Sequence, residues 1–339
     1  MAKQKIVLDA ITTDNNLSEM VKGAFEVCNN NSEILLYMVG PMDQINEVIK
    51  ENNYILNNDN LIIIDAQDKI TNEDIPTFAI RNKKESSLYK AYQLLKENDD
   101  INGFVSAGST GAILCGAIMN LKTIGKCRPA LSSLLPNEND ELFCLIDCGA
   151  NVDCHAKQLV DYAKIGNCYM QSLYPNKEIR VGLVSNGSED NKGNILTKEV
   201  FGLLKETNLN FVGNIEGNDI LADKCDVLVC DGFVGNVVLK NIEGTAKMII
   251  KTLYKMMMKS NDDTEKKYLK KAINDLVMKY DLTSLGGATL LGVNKVIMKG
   301  HGNANSQTVV SLVSQVFDLL NNNFLENINK TLTENIGNN

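Results

Sequence analysis

Apolar residues cluster along the chain in short runs, which alternate with longer stretches where they return every three or four positions. KIVLDAI (5–11), EILLYMVG (33–40), LIIIDA (61–66) and GFVSAG (103–108) are followed by LFCLIDCG (142–149), RVGLVSNG (180–187), NFVGNIEG (210–217) and DVLVCDG (226–232). These runs are rich in Ile, Leu and Val and bounded by Gly, Asn or Asp, a pattern that predicts strands buried on both faces. Between them the spacing predicts helices over 17–28, 41–52, 86–97, 110–122, 155–173 and 194–206. Strand and helix alternation implies an α/β fold with a largely parallel sheet covered on both sides. From about 233 to 280 the pattern is helical, with a hairpin turn expected near SNDDT (260–264), and the chain becomes polar and prone to fraying from about Asn329. Repeats and linkers are absent. The expectation is one three-layer α/β/α domain over 1–330, with a helical hairpin projecting over 240–282 and a polar tail over 331–339.

At 339 residues, 44% of them hydrophobic, the chain can bury a large core. The opening MAKQKIVLDAI does not read as a secretory signal, and no apolar run reaches the length of about eighteen residues that a membrane span needs. Nine cysteines, mostly inside apolar runs, fit buried thiols in a reducing cytoplasm better than a disulfide framework. The net charge of −8 argues against nucleic-acid binding, yet Lys240 to Lys279 holds ten lysines against five acids, a local +5. Such an island suggests an anionic partner.

Ligands of open α/β sheets bind where strands end and helices begin. SAGSTGA (106–112) has glycines for close approach and a helix start whose free N–H groups suit a phosphate or carboxylate, with Ser109 and Thr110 as added donors or as caps. It is neither a dinucleotide fingerprint nor a Walker loop. LFCLIDCGANVDCH (142–155) gathers three cysteines and a histidine, but the strand rise would separate Cys144 and Cys148 by roughly 13 Å. No metal site is expected there. Asp147, Asn151 and Asp153 instead sit at or just past a strand end, open to ligand contact or to turn and cap duty. In SNGSEDNKGN (185–194) Lys192 is the only cation, either paired with an anion or solvated, and Asn194 stands at a helix start. CDGFVGNVVLK (230–240) offers Asp231, Gly232, Phe233 and Asn236, and KGHGNANS (299–306) sets His301 between glycines, structural or catalytic.

In this order the loops resemble the PlsX family of phosphate acyltransferases of bacterial phospholipid synthesis. The resemblance rests on SLYKAYQLLKENDDINGFVSAGSTGAILCGA, CRPALSSLLP, LIDCGANVDC, EDNKGN, FVGNIEGNDI, DVLVCDGFVGNVVLK and GGATLLGVNKVIMKGHG, and spans roughly residues 5–317. LDAITTDNN (8–16) looks like a weakened opening motif, with Ile11-Thr12-Thr13-Asp14 where the family has Met-Gly-Gly-Asp. Ser109 stands where the family has Asn, and Gly187-Ser188-Glu189-Asp190 where it has Gly-Glu-Glu. The positions of Asp9, Asp14, Asp147, Asn151, Asp153, Lys192, Asn194, Asp231 and His301 match.

The resemblance implies a fold related to phosphotransacetylases and to isocitrate and isopropylmalate dehydrogenases. It implies conversion of acyl-[acyl-carrier-protein] and inorganic phosphate to acyl phosphate and free carrier protein. It also implies a cytoplasmic homodimer, peripherally attached to an anionic membrane, that hands acyl phosphate to a glycerol-3-phosphate acyltransferase. That chemistry needs no metal or nucleotide cofactor. The 108–111 amides (Gly108, Ser109, Thr110, Gly111) and Lys192 would hold phosphate, while Asn151, Asn194, Asn236 and His301 polarise the carbonyl or protonate the leaving sulfur. Aspartates would orient these donors. Lys247, Lys251, Lys255 and Lys259 recur every four residues beside Leu253, Met256 and Met257. That helix suits an anionic bilayer, an acidic carrier protein, a dimer contact, or plain solvation of its lysine face. Rival readings are a coenzyme A-dependent phosphate acetyl- or butyryltransferase, a hydroxy-acid dehydrogenase of related fold, and a non-catalytic membrane or carrier-protein adaptor.

Overall fold

The computed structural model describes residues 3–11, 17–57, 59–280 and 287–333; Thr12, Thr13 and Asp14 lie outside them. The chain runs β1 (Gln4–Asp9), α1 (Leu17–Asn30), β2 (Ile34–Gly40), α2 (Met42–Glu51) and β3 (Leu61–Asp65). It continues through α3 (Pro76–Asn82), α4 (Ser87–Glu97), β4 (Ile101–Ser106) and α5 (Thr110–Asn120). Next come β5 (Ala130–Pro136), β6 (Leu142–Ile146), α6 (Ala156–Leu173), β7 (Arg180–Ser185), α7 (Ile195–Lys205) and β8 (Asn210–Glu216). A 3-10 turn (Gly217–Asp219) leads to β9 (Val227–Val229), α8 (Gly232–Lys259) and α9 (Asp263–Tyr280). β10 (Ala288–Leu291), β11 (Val296–Lys299), α10 (Ser306–Asn321) and α11 (Phe324–Thr333) follow.

The eight expected strands and six bounded helices are all present. β5, β10, β11, α3 and α11 are additions. α11 carries order past Asn329, where fraying was expected, because Phe324, Ile328 and Leu332 recur every fourth position and are buried. By its contacts the chain divides into two compact units. The first holds Met1–Leu131, Gln171–Lys177 and Gly286–Asn339, and the second holds Ser132–Met170 and Glu178–Leu285.

In the first unit the strand order is β3-β2-β1-β4-β11-β10, parallel except for β10 against β11. Neighbouring residues of β4 show how its faces are covered. A Cβ on Gly103 would stand 2.5 Å from Val316 of α10, whereas Phe104 meets Tyr92 of α4 edge-on, with centroids 5.3 Å apart. Alternate residues of a strand point to opposite faces, so α10 and α4 cover opposite sides of this sheet.

In the second unit the order is β5-β6-β9-β7-β8, with β5 antiparallel to β6 and the rest parallel. Arg180, the first residue of β7, fixes the amino ends of the strands. Its Nε lies 3.0 Å from Asp226, its backbone N–H donates to the same carboxylate at 2.7 Å, and its guanidinium also pairs with Asp223. Hydrogen bonding to Asp226, then Asp223, raises the Arg180 pKa further. α8 and α9 pack together as a helical hairpin, with the turn held by Ser260 and Asp262. Among its described residues α8 buries only Gly232 and Gly235, and α9 buries none.

Candidate active site

β1, β4 and β11 lie side by side and parallel, so their carboxyl ends bring together Asp9, the 106–111 loop and His301. Asp9 is fully buried. Its Oδ2 accepts from the Ser106 hydroxyl at 2.7 Å and its Oδ1 from the Ile11 N–H at 3.1 Å, with a further hydrogen bond from Ser87. Burial pushes the Asp9 carboxyl up to about 6 against the opposing pull of these donors. The Ser106 oxygen in turn accepts from the Gly108 N–H at 3.0 Å, which links the carboxyl to the loop that opens α5. On the other side the Gly300 N–H donates to the Ser106 carbonyl at 2.9 Å, seating His301 next in line. His301 is half-buried.

Most described N-cap residues of suitable type cap their helices. Ser86, Asn194, Asp231 and Asn305 each accept from the backbone N–H three positions on. Ser109, buried at the N-cap of α5, does not. Of the two readings left open for this serine, capping is therefore excluded. Among the described residues no side chain caps the first turn of α5, and free N–H groups at a helix start suit an anion.

In the second unit Asp147 follows β6 and is fully buried. Its Oδ1 accepts from the N–H groups of Gly149 (3.1 Å) and Ala150 (2.9 Å). Its Oδ2 accepts from Asn151 N (2.8 Å) and Nδ2 (2.9 Å). The carboxylate thus shapes the 147–151 loop. Gly232 and Gly235 let α8 press onto that loop. A Cβ at Gly232 would lie 2.6 Å from the Asn151 oxygen, and one at Gly235 1.8 Å from the Asp147 oxygen. Asn236 faces Gly149, whose φ of 126° a side chain would strain.

Other expected residues have plainer duties. Asp231 caps α8 through Val234 N (2.8 Å), and Asn194 caps α7 through Thr197 N (2.8 Å). Asp231 caps with its Oδ1, and Asn194 Oδ1 also accepts from the Thr197 hydroxyl at 3.0 Å. Lys192 lies over Gly187 with its ammonium 3.9 Å from Glu189, while Asp153 and Phe233 are exposed. On the hairpin Lys247, Lys251, Lys255 and Met256 are exposed. Leu253 and Met257 are half-buried, sharing the spacing of Ala246 and Ile250 on the inner stripe; the outward apolar residues include Met248 and Met258. Burial drives the Cys28, Cys148 and Cys225 thiols up to about 12 and Cys144 and Cys230 upward too, which removes the thiolate a nucleophile needs. Ser106 and Ser87 were missed in the sequence. The available signal for Ser106 was a hydroxyl on the last residue of a buried strand, two positions before a glycine.

These features define an α/β protein with glycine-rich loops and an uncapped helix start at the ends of parallel strands. Solved structures of that class share the fold. A phosphotransacetylase from Streptococcus pyogenes superposes with a TM-score of 0.60 at 14% identity, over 94% of each chain. A branched-chain phosphotransacylase from Enterococcus faecalis gives 0.58 at 13% identity, over 92% of this chain and 98% of that one. Residues 4–327 match the family described as "Fatty acid synthesis protein". The phosphate acyltransferase of Clostridium acetobutylicum is 40% identical over 334 residues, 97% of this chain and 99% of that protein. That of Clostridium novyi is 40% identical over 326 residues, 96% and 97% respectively. The chain belongs to this family, the PlsX phosphate acyltransferases, and its activity is that of a phosphate acyltransferase of fatty acid and phospholipid synthesis.

Proposed function

We propose that the acyl donor is an acyl-[acyl-carrier-protein] and the acceptor inorganic phosphate. A phosphate oxygen attacks the thioester carbonyl, the new C–O bond replaces C–S, and the carrier thiolate leaves and takes up a proton. Phosphate is already anionic at neutral pH, so positioning and oxyanion stabilisation supply the catalysis. The observation that carries this reading is the uncapped start of α5, where Ser109, Thr110 and the first-turn amides are the donors for phosphate. His301, beside that loop, is the proton donor to the leaving sulfur.

Phosphate-dependent release of carrier thiol from a long-chain acyl-carrier protein, run beside the matching acyl-coenzyme A, tests the reading. Preference for the carrier-bound donor is expected. Turnover of the coenzyme A thioester alone would make the protein a coenzyme A-dependent phosphate acyltransferase, and no turnover from a folded chain would leave a non-catalytic adaptor.

No described helix is long and apolar enough to cross a membrane. The lysine face of α8 with exposed Met248, Met256 and Met258 supports peripheral attachment to an anionic bilayer. The protein then works as a homodimer that delivers acyl phosphate to a glycerol-3-phosphate acyltransferase. Sedimentation of a Met256→Glu, Met258→Glu variant with phosphatidylglycerol liposomes reads the attachment; binding equal to wild type would end that part of the proposal.

A further inference from the structure

Two hydrogen bonds of the first unit meet on one hydroxyl at the end of β4. Ser106 is fully buried; its Oγ donates to Asp9 Oδ2 at 2.7 Å and accepts from the Gly108 N–H at 3.0 Å. A hydroxyl has a single proton and two lone pairs. Asp9 takes the proton, so the oxygen is left to accept from Gly108, and the sense of the pair is fixed. The anchor is braced from two further elements, the chain just past β1 through Ile11 and the start of α4 through Ser87.

Gly108 directly precedes Ser109, so the bond governs how the chain enters the uncapped start of α5. The approach is close. A Cβ at Gly108 would lie 3.2 Å from the Ser106 oxygen and 3.4 Å from Leu88. The serine also keeps charge away from the seat. A carboxylate bonded straight to the loop amides would stand beside an incoming anion and repel it. With a hydroxyl between them, Asp9 orients the loop from further back. The backbone of Ser106 serves another neighbour, its carbonyl accepting from the Gly300 N–H at 2.9 Å on the side of His301. Hydroxyl and carbonyl thus act on different loops, and a side-chain substitution removes only the first.

We propose that Ser106 is a positioning residue for the transfer: its hydroxyl carries the hold of Asp9 to Gly108 and so sets the α5 amides that receive phosphate. The inference rests on the reading that phosphate sits at the start of α5, and adds to it what holds that seat in place. Ser106 itself touches no reacting atom. The Gly108 N–H is spent on Ser106, which leaves Ser109, Thr110 and the amides beyond as the donors.

The test varies phosphate at saturating acyl-carrier protein and follows thiol release by the full chain. Ser106→Ala is expected to raise the phosphate KM about tenfold, the effect of losing one buried hydrogen bond. Its kcat and acyl-donor KM should stay within about twofold of wild type, because the Ser106 carbonyl still holds Gly300. Ser106→Thr keeps a hydroxyl and should bring the phosphate KM back to within about threefold. Asp9→Asn should raise the phosphate KM in wild type yet add less than about twofold in the Ser106→Ala background, since Asp9 acts through the hydroxyl. Hydrogen exchange at the Gly108 N–H should quicken about tenfold in Ser106→Ala while that of Gly300 holds. If Ser106→Ala does not fold, Ser106→Cys retains the packing with a weaker hydrogen-bonding group and should show a several-fold rise.

An unchanged phosphate KM in the folded variant overturns the inference. So does a variant in which kcat and both KM values worsen alike, or a full Asp9→Asn effect without the Ser106 hydroxyl. If wild type turns nothing over, the acyl-transfer reading fails, and titration with inorganic phosphate followed by 31P line width decides the positioning claim alone. Weaker phosphate binding by Ser106→Ala than by wild type then sustains it, and equal or absent binding ends it.

Discussion

Asp9 in the first unit and Asp147 in the second are both fully buried at the carboxyl end of a parallel strand, each next to a glycine loop, yet they do opposite things. Asp147 spends both oxygens on four donors of its own loop, three of them backbone N–H groups. The loop becomes rigid and α8 stacks on it through Gly232 and Gly235. Asp9 takes hydroxyl donors and one amide, and sits at about 6 because burial outweighs them. Through Ser106 it holds Gly108, and beyond that point Ser109 does not cap the α5 amides. One carboxyl builds scaffold by consuming donors. The other steadies the loop that opens α5, where the N-cap serine does not cap. Residue type and position along the strand are the same; what differs is how much of the surrounding backbone each one satisfies.

The contrast breaks most sharply at Gly235. Its Cβ would lie 1.8 Å from the Asp147 oxygen, so Gly235→Ala should cost more than about 3 kcal/mol, read by urea unfolding. A cost near zero would mean that α8 does not bear on the Asp147 loop.

Asp9 gives the next largest effect, and it depends on pH. Its folded pKa of about 6 lies above the ordinary 3.8, so the folded state holds a proton that the unfolded chain has lost. Stability contributed by the protonated form is present below about pH 4 and is lost as pH rises through about 6. Wild type should therefore lose about 2 kcal/mol relative to Asp9→Asn between pH 4 and pH 7. Parallel stability curves for the two proteins would show that burial does not hold the proton on Asp9.

The smallest effect concerns the caps. Asp231→Ala should cost about 1 kcal/mol, whereas Ser109→Ala should cost less than about 0.5 kcal/mol and raise the KM for phosphate several-fold. Equal losses of stability, with phosphate KM unmoved, would return Ser109 to the ordinary caps.

Periodicity made most of this architecture legible. The long Ile, Leu and Val runs became strands and the stretches between them helices, within a few residues at each end. β5 escaped because ALSSLLP mixes serines and a proline into its apolar positions. β10 and β11 escaped because Gly and Asn interrupt the apolar positions of GGATLLGVNKVIMKGHG. The two compact units were invisible for a different reason: the chain passes between them four times, so no single linker carries a change in composition. At the site, glycine-rich loops were found because glycine at a strand end is a local signal. Which donors remain for a ligand was not local. Asn194, Asp231 and Ser109 look alike as polar residues at helix starts, and only the hydrogen bonds separate two caps from a serine that does not cap. Ser106 went unseen because its duty depends on Asp9, 97 residues away.

The clamp of Arg180 on Asp226 and Asp223 sits at the amino ends of β7 and β9, while the loop carrying Lys192 and the start of α8 with Asn236 follow their carboxyl ends. The clamp and the glycine-rich loops thus occupy opposite poles of the same strands. Descendants of this chain can therefore accumulate insertions and replacements at one pole while the Arg180 clamp at the other keeps the strands in register.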